Sequence, residues 1–543
     1  MADEENRCVV TLNKGVDAEQ FVNEMLDNGY VLHDAKPHSR SNFDFIMTKA
    51  QAETLKSDER VRDVRYGSKV DNGIILQGFA ERTDWNPSRS GLGLLGSRSA
   101  TSSDINANWG LIAHAYQDSG NPNLGIANLG LEFDAWLNEG EIASHVVPMT
   151  LTGKHVDLVI HDSGIDPNHP EFWGLTGNTS RYQTVDWPTI SGTTGTFTQN
   201  VNYHRDLDGH GTHVAGIAGG NRNGWAPEAN MYSLKILDDA TAAFGVSASL
   251  TMLRAWHNSK GNNASTGVPN PTVVNMSWGF LGVYADVAGG QYRGANWTGT
   301  SADQTKGMRT ATFSAEFGGF LYPTRVTSVD SDIEDCIADG IIMVGAAGNF
   351  AHKCDIPGGD DYDNYWFNSS NVLDYYHRGS TPGSTTGVIS VGNIDSTYFE
   401  PAPSNPGKNQ IATSSERGPR VDIFAAGTNI HSSIAGSRAT SGTSTTRWVD
   451  DRDNTKFTKK LSGTSMASPQ VAGVLATLAQ NRTDLNQTDA LNWLNQKASG
   501  EDYIHDTTTG TASTDYIETR ALQGAKNKFL WTPYRNNTPF SAS

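Results

Sequence analysis

Apolar and polar positions alternate along this chain in two different rhythms. Over roughly the first 66 residues the blocks are short. "RCVVTL" reads as a strand, "DAEQFVNEMLDNG" as an amphipathic helix closed by Gly29, and "FDFIMT" as a second strand. "KAQAETLKSDERV" follows as another helix and "VRDVRYG" as a last strand. Strand and helix alternating at this length predict a small α+β sandwich. From about residue 108 the apolar runs become continuous and β-branched, as in "VDLVIHDSG", "ANMYSLKIL", "PTVVNMSWG", "GIIMVGAAGN" and "GVISVGNID", each followed by a helix pattern. That order predicts an α/β unit with a parallel sheet covered by helices on both faces. In such sheets the functional residues lie beyond the carboxyl ends of the strands. The resulting division is a domain at 1–70, a linker rich in Gly, Ser, Arg and Asn at 71–107, the α/β domain at 108–499 and an extension at 500–543. A polar insertion at about 280–325 has no evident purpose.

One helix stands apart. "LSGTSMASPQVAGVLATLAQ" is built of small and apolar residues, so it is buried on most sides. Pro469 falls in its first turn, where a missing N–H does no harm. Thr464, Ser465 and Ser468 crowd its start, and capping alone would account for them. Two other polar knots change that reading. In "LVIHDSGIDPNHPEF", Asp162 closes an apolar strand, which an Asx turn would also explain. In "DLDGHGTHVAGIAGG", His210 opens a small-residue helix beside Asp206 and Asp208. His213 lies one turn on, but the Glu of an H-E-x-x-H metal site is replaced by Gly211, so His213 reads as structural. A serine hydroxyl becomes a nucleophile when a base takes its proton and a third group fixes that base. Asp162, His210 and Ser465 are the parts such a device needs.

Composition narrows the function without choosing it. The 543 residues carry 41 Lys+Arg against 59 Asp+Glu, a net charge of −18, which argues against a nucleic-acid or anionic-membrane partner. Three scattered cysteines give neither a disulfide framework nor zinc-ligand spacing. The acidic start "MADEENRCVV" lacks the apolar segment of a secretory signal, and no run approaches the length of a membrane span.

"DSGID", "HGTHVAG" and "GTSMASP", in that order, resemble the three signatures of the subtilisin-like serine proteases. The order Asp, His, Ser is that of the subtilisins, whereas an α/β-hydrolase would need G-x-S-x-G and has Ala467 where its second Gly should stand. The resemblance implies a serine endopeptidase acting through an acyl-enzyme on Ser465, with Asp162 and His210 completing the triad. It implies an oxyanion hole from Asn349 of "GAAGN" and the Ser465 N–H. A polypeptide substrate would lie as an extended strand along Ser277, Trp278 and Gly279 and beside Ala346, Ala347 and Gly348. No cofactor is implied for the chemistry. Structural calcium is common in the family, which makes Asp360, Asp361 and Asp363 and Asp450, Asp451 and Asp453 candidate ligands.

The N-terminal unit is similar to the family's ferredoxin-like inhibitory propeptide, which implies a second partner, the chain's own prosegment lying through the cleft. A different expectation is a subtilase-fold structural or virion-associated protein held inhibited by that uncleaved prosegment. With its insertion and tail the chain also resembles subtilases encoded by tailed bacteriophages, so its expected location is cytoplasmic or virion-associated. Two departures from the family pattern stand out. His161 precedes Asp162 where an aliphatic residue is usual, either as a core histidine or as a perturbation of the triad. Trp278 replaces a commoner Leu, which would narrow or reshape the cleft.

Overall fold

Leu158, Val159 and Ile160 point alternately to opposite faces of one strand, and both faces are dry. Leu158 and Ile160 enter a core with Val214, Ile217, Val471 and Leu475, while Val159 enters a second core with Leu250, Leu253, Val329 and Ile333. The same division separates Val273 from Val274, and Ile342 and Val344 from Met343. A strand buried on both faces loses the polar alternation of a half-exposed one, so these runs read as continuous.

The computed structural model describes residues 6–34, 40–66, 74–76, 110–111, 114, 151–192, 203–237, 244–310, 313–314, 318–399, 408–440, 447–450, 452–496, 499–501, 504, 506 and 520–532. Among these residues the main sheet runs Asn230–Lys235, Asp157–Asp162, Thr272–Met276, Ile342–Ala346, Ile389–Phe399, Ile423–Ala426 and Lys528–Leu530, all parallel. Ser499–Glu501 and Lys408–Ile411 pair with it antiparallel. One face carries the helices His210–Gly219 and Thr464–Ala479, the other Val246–Ser259 and Thr327–Ala338. From Asp157–Asp162 the chain goes first to one edge, at Asn230–Lys235, and then builds the rest of the sheet on the other side. That reversal opens a crevice at the carboxyl ends of Asp157–Asp162 and Thr272–Met276.

The N-terminal unit is a four-stranded antiparallel sheet in the order Val31–Asp34, Asn42–Met47, Asn6–Leu12, Val61–Tyr66, with helices Ala18–Asp27 and Lys49–Leu55. Its core holds Val10, Leu12, Phe21, Met25, Phe45 and Leu55. Thr48 and Gln51 close a reciprocal capping box at the second helix. The edge strand Val31–Asp34 escaped the sequence reading because four residues are too few to show a period. This unit docks on helix Thr327–Ala338. Asn42 Nδ2 donates to Ser328 O at 2.9 Å and Asp332 Oδ1 at 2.8 Å, and Arg62 grips Glu334 with both terminal nitrogens.

The structure adds to two sequence readings here. The segment read as a polar insertion is β-structure, with strands Trp278–Tyr284, Val287–Tyr292, Ala295–Thr298 and Gly319–Pro323 around a core of Tyr284, Met308, Tyr322, Trp366 and Tyr376. Glycine and exposed polar positions such as those of "ANWT" hid it. The boundary at residue 499 falls inside the main sheet, because Lys528–Leu530 of the tail pairs parallel with Ile423–Ala426. The proposed linker lies largely outside the described residues, except for Ile74–Leu76.

Candidate active site

Asp162 ends its strand fully buried. Its Oδ1 accepts from His210 Nδ1 at 2.8 Å and from Ser163 N at 2.7 Å. His210 is the first residue of its helix, and close backbone approach brings that helix onto the Asp162 turn. A Cβ on Gly211 would overlap Gly164 O, and one on Gly209 (φ +107°) would overlap Ala435 O. With Nδ1–H donated to Asp162, the His210 lone pair is on Nε2, a buried atom that has no hydrogen-bond partner among the described residues.

Ser465 is the second residue of helix Thr464–Ala479, so its N–H is one of the donors a helix start leaves outside the helical ladder. Its side chain is held by reciprocal bonds: Ser465 Oγ donates to Ser277 O at 3.0 Å, and Ser277 Oγ donates to Ser465 O at 3.0 Å. Asn275 and Ser468 extend the braid. Asn275 Nδ2 donates to Ser277 Oγ at 2.8 Å, and Ser468 Oγ donates to Asn275 Oδ1 at 2.9 Å. The structure therefore brings Ser465 to the exit of Thr272–Met276, with its hydroxyl turned to Ser277 O rather than to His210. The two helices that carry His210 and Ser465 pack on each other in one core.

Asn349 follows strand Ile342–Ala346 through Ala347 and Gly348. Its Oδ1 accepts from Thr464 N at 2.9 Å and Thr464 Oγ1 at 3.2 Å, which orients the amide with its acceptor end toward the residue before Ser465. Gly348 N donates to Thr464 Oγ1 at 3.2 Å, so this loop and the helix start are tied twice. Ala346 and Ala347 lie buried in the floor, and Ala347 N donates to Val391 O at 2.9 Å. Along the other wall, Trp278, Gly279 and Phe280 pair antiparallel with Leu76, Ile75 and Ile74. The segment expected to hold an extended substrate thus holds an extended strand of the same chain.

The two departures near the triad resolve into packing. The Trp278 side chain is fully buried, and its indole N–H donates to His161 Nδ1 at 3.2 Å, so it does not narrow the cleft. His161 Nε2 lies 2.7 Å from Ser249 Oγ, and burial pushes the ring down to about 3, leaving it neutral and turned away from Asp162. His213 is buried with Nε2 on Lys459 O at 3.0 Å, and burial holds it at about 3, as suits a structural histidine.

The acidic clusters do not fit a hard cation. Asp361 accepts from Arg293 on both oxygens and from Lys353 at 2.8 Å, and Asp363 pairs with Arg378 at 2.6 Å. Asp450 is bidentate with Arg452, and Asp453 accepts from Thr455 N and Oγ1. Asp360 is exposed, and Asp451 lies outside the described residues. At Asp361, Asp363 and Asp450 guanidinium and ammonium groups already take oxygens that calcium would need, and no cluster able to hold a metal forms among the described residues.

Sequence reasoning missed Asp206 as a keystone. Its buried carboxyl accepts from Gly209 N, Thr212 N, Thr212 Oγ1 and Ser163 Oγ, joining the His210 helix start to the Asp162 turn. Burial pushes it up to about 6 against those donors. Its place three residues before Gly209 was the available signal. Asn275, a lone amide inside the apolar run "VVNM", was another.

The sequence profile of the subtilase family matches residues 153–528. "Subtilisin-like protease 1" of Pseudogymnoascus destructans is 28% identical over 326 residues, which cover 60% of this chain and 52% of that protein. Subtilisin DY of Bacillus licheniformis is 23% identical over 352 residues, or 64% of this chain and 85% of the other. The chain thus spans about half the length of the first of these relatives. Among solved structures, fervidolysin of Fervidobacterium pennivorans aligns at a TM-score of 0.49 and 17% identity, covering 99% of this chain and 62% of that one. With the family profile spanning more than half of its residues, the chain belongs to the subtilase family.

Proposed function

We propose that this chain is a serine endopeptidase that cleaves polypeptides bound as an extended strand. The observation that carries the proposal is the buried Asp162–His210 bond, which leaves the Nε2 lone pair uncommitted in the core shared with the Ser465 helix. In the reaction, Ser465 Oγ leaves Ser277 O and attacks the scissile carbonyl carbon while His210 Nε2 takes its proton. Asp162 fixes the tautomer and stabilises the imidazolium. The new oxyanion is met by the Ser465 N–H and the Asn349 amide. His210 then protonates the leaving amine, and water repeats the sequence on the acyl-enzyme. The N-terminal unit acts as an intramolecular inhibitor, because Ile74–Leu76 takes the substrate's place on Trp278–Phe280.

Fluorophosphonate labelling followed by peptide mapping tests this. The expected result is one adduct, on Ser465, lost in Ser465→Ala together with casein hydrolysis. A chain trimmed of its N-terminal unit that takes no label at Ser465 refutes the reading.

A further inference from the structure

Glu416 is a fully buried carboxylic acid that the reaction above does not use. It lies beneath the loop that carries Asn349. Phe350 N donates to its Oε1 at 3.2 Å, and its own N–H donates to Gly348 O at 2.9 Å. Gly348 sits at φ +126°, and a Cβ there would come within 2.5 Å of Glu416 Cγ. The side chain thus fills the space a larger residue 348 would occupy. Two more backbone bonds flank this contact: Ala351 N donates to Ser414 O at 2.9 Å, and Arg417 N donates to His352 O at 3.2 Å. Asn349 is therefore gripped from two sides, by Thr464 on its amide and by the Glu416 segment on the peptides before and after it.

The surroundings hold this acid neutral. Burial pushes Glu416 up to about 8, although Arg309 and Arg417 and the N–H groups of Phe350 and His352 pull it down. Oε2 has no hydrogen-bond partner among the described residues. Arg309 comes from the β-insertion and donates Nη1–H to Ala351 O at 3.4 Å. The insertion thereby reaches the same loop.

We infer that Glu416 is a positioning residue for the oxyanion hole, a buried strut that sets Gly348–Phe350 so that the Asn349 amide meets the tetrahedral oxygen. This rests on the proposed peptidase reading. An oxyanion donor acts on the transition state more than on the bound substrate, so loss of the strut lowers kcat and spares KM. Complete loss of such a donor costs about 10²- to 10³-fold in kcat in this family of enzymes, and a misplaced donor keeps part of its effect.

Peptide hydrolysis and inhibition by a peptide boronic acid, which mimics the tetrahedral species, are measured on the wild-type chain and on Glu416→Ala, Glu416→Gln and Glu416→Asp. Glu416→Ala is expected to lose roughly tenfold or more in kcat, with KM within about twofold and boronate affinity reduced in proportion. Glu416→Gln keeps an acceptor for Phe350 N–H and is expected to stay within about threefold of wild type. If Glu416→Ala does not fold, Glu416→Asp, shorter by one methylene, carries the test with the same signature. An unchanged kcat, or a fall in which KM rises while boronate affinity holds, overturns the role of Glu416. A wild-type chain trimmed of its N-terminal unit that neither hydrolyses peptide nor takes a fluorophosphonate instead overturns the peptidase reading itself.

Discussion

Asn42→Ala separates docking of the N-terminal unit from its folding. Asn42 is buried at the seam, where its amide donates to a backbone carbonyl and to the Asp332 carboxylate of helix Thr327–Ala338. A hydrogen bond to a charged group contributes about 1.5–3 kcal/mol and a neutral one about 0.5–1.5 kcal/mol, so deletion weakens docking by about 2–4 kcal/mol. At 1.4 kcal/mol per decade this is roughly a 30- to 700-fold rise in the undocked fraction. The ion pairs Arg62–Glu334, Lys14–Glu334 and Arg40–Asp339 have partly exposed cations and contribute less than about 1 kcal/mol each. Salt should therefore loosen the seam less than Asn42→Ala does. In a Ser465→Ala background, which cannot trim itself, amide hydrogen exchange reports the opening directly. Peptides covering Ile74–Leu76 and Trp278–Tyr284 are expected to exchange faster in Asn42→Ala. Those covering Asn6–Leu12 keep their protection, because Asn42 also accepts from Thr11 and its loss must be shown not to unfold the unit. If the unit stays folded and the groove peptides exchange no faster, the seam does not hold the strand in the groove.

Other perturbations follow from the same contacts. Asp162→Asn presents an N–H to His210 Nδ1, favours the wrong tautomer and should lower kcat by about 10⁴-fold with KM little changed; a loss under tenfold would refute the orienting role. Glu416, raised from 4.5 to about 8, binds its proton more tightly in the folded chain than in the unfolded one. Its contribution to stability is thus complete at pH below about 4.5 and is lost as pH rises through about 8, with a ceiling of about 5 kcal/mol. The titratable groups around it are Arg309, Arg417, His352 and Cys354. Glu416→Gln should therefore melt above wild type at pH 9 and lose that advantage by pH 5, and a gap constant with pH would refute the neutral acid. Trp278→Phe removes the donor to His161 Nδ1 and should cost about 1–3 kcal/mol in denaturant unfolding without changing KM; a raised KM would return Trp278 to the cleft.

The three signatures were legible because each combines a chemical residue with the glycine its geometry demands. Gly211 after His210 marks the close backbone approach to Gly164 that places the imidazole on Asp162, and Gly209 before it marks an approach to Ala435. The parallel strands were legible from their continuous β-branched runs. The parts that hold these groups in place were not. Asp206, Asn275 and Glu416 act through hydrogen bonds to segments 43, 193 and 66 residues away, and a local pattern can single out such a residue without naming its distant partner. The partners of the acidic clusters were hidden for the same reason. "GGDDYDNY" gives no sign that Arg293 and Lys353 converge on Asp361. Nor does the Gly- and Thr-rich insertion display its aromatic core, because Trp366 and Tyr376 arrive from beyond it.

The triad is fully buried while Ile74–Leu76 lies along Trp278–Phe280, and those two facts belong together. On the proposed peptidase reading, Ser465 and His210 without exposed surface cannot meet a polypeptide, so the arrangement fits an inhibited form. Its Ser465 hydroxyl, turned onto Ser277 O, fits such a state, because the nucleophile's proton is held by a backbone carbonyl until a substrate carbonyl replaces the resident strand. The seam includes the buried bonds of Asn42 and the ion pairs of Lys14, Arg40 and Arg62. The scaffold of the site lies apart from that seam: Asp206, Asn275, Thr464 and Glu416 bind the catalytic segments to one another through contacts internal to the α/β unit. On the proposed reading, removal of the N-terminal unit leaves these contacts in place, and Ser465 Oγ must turn from Ser277 O to His210.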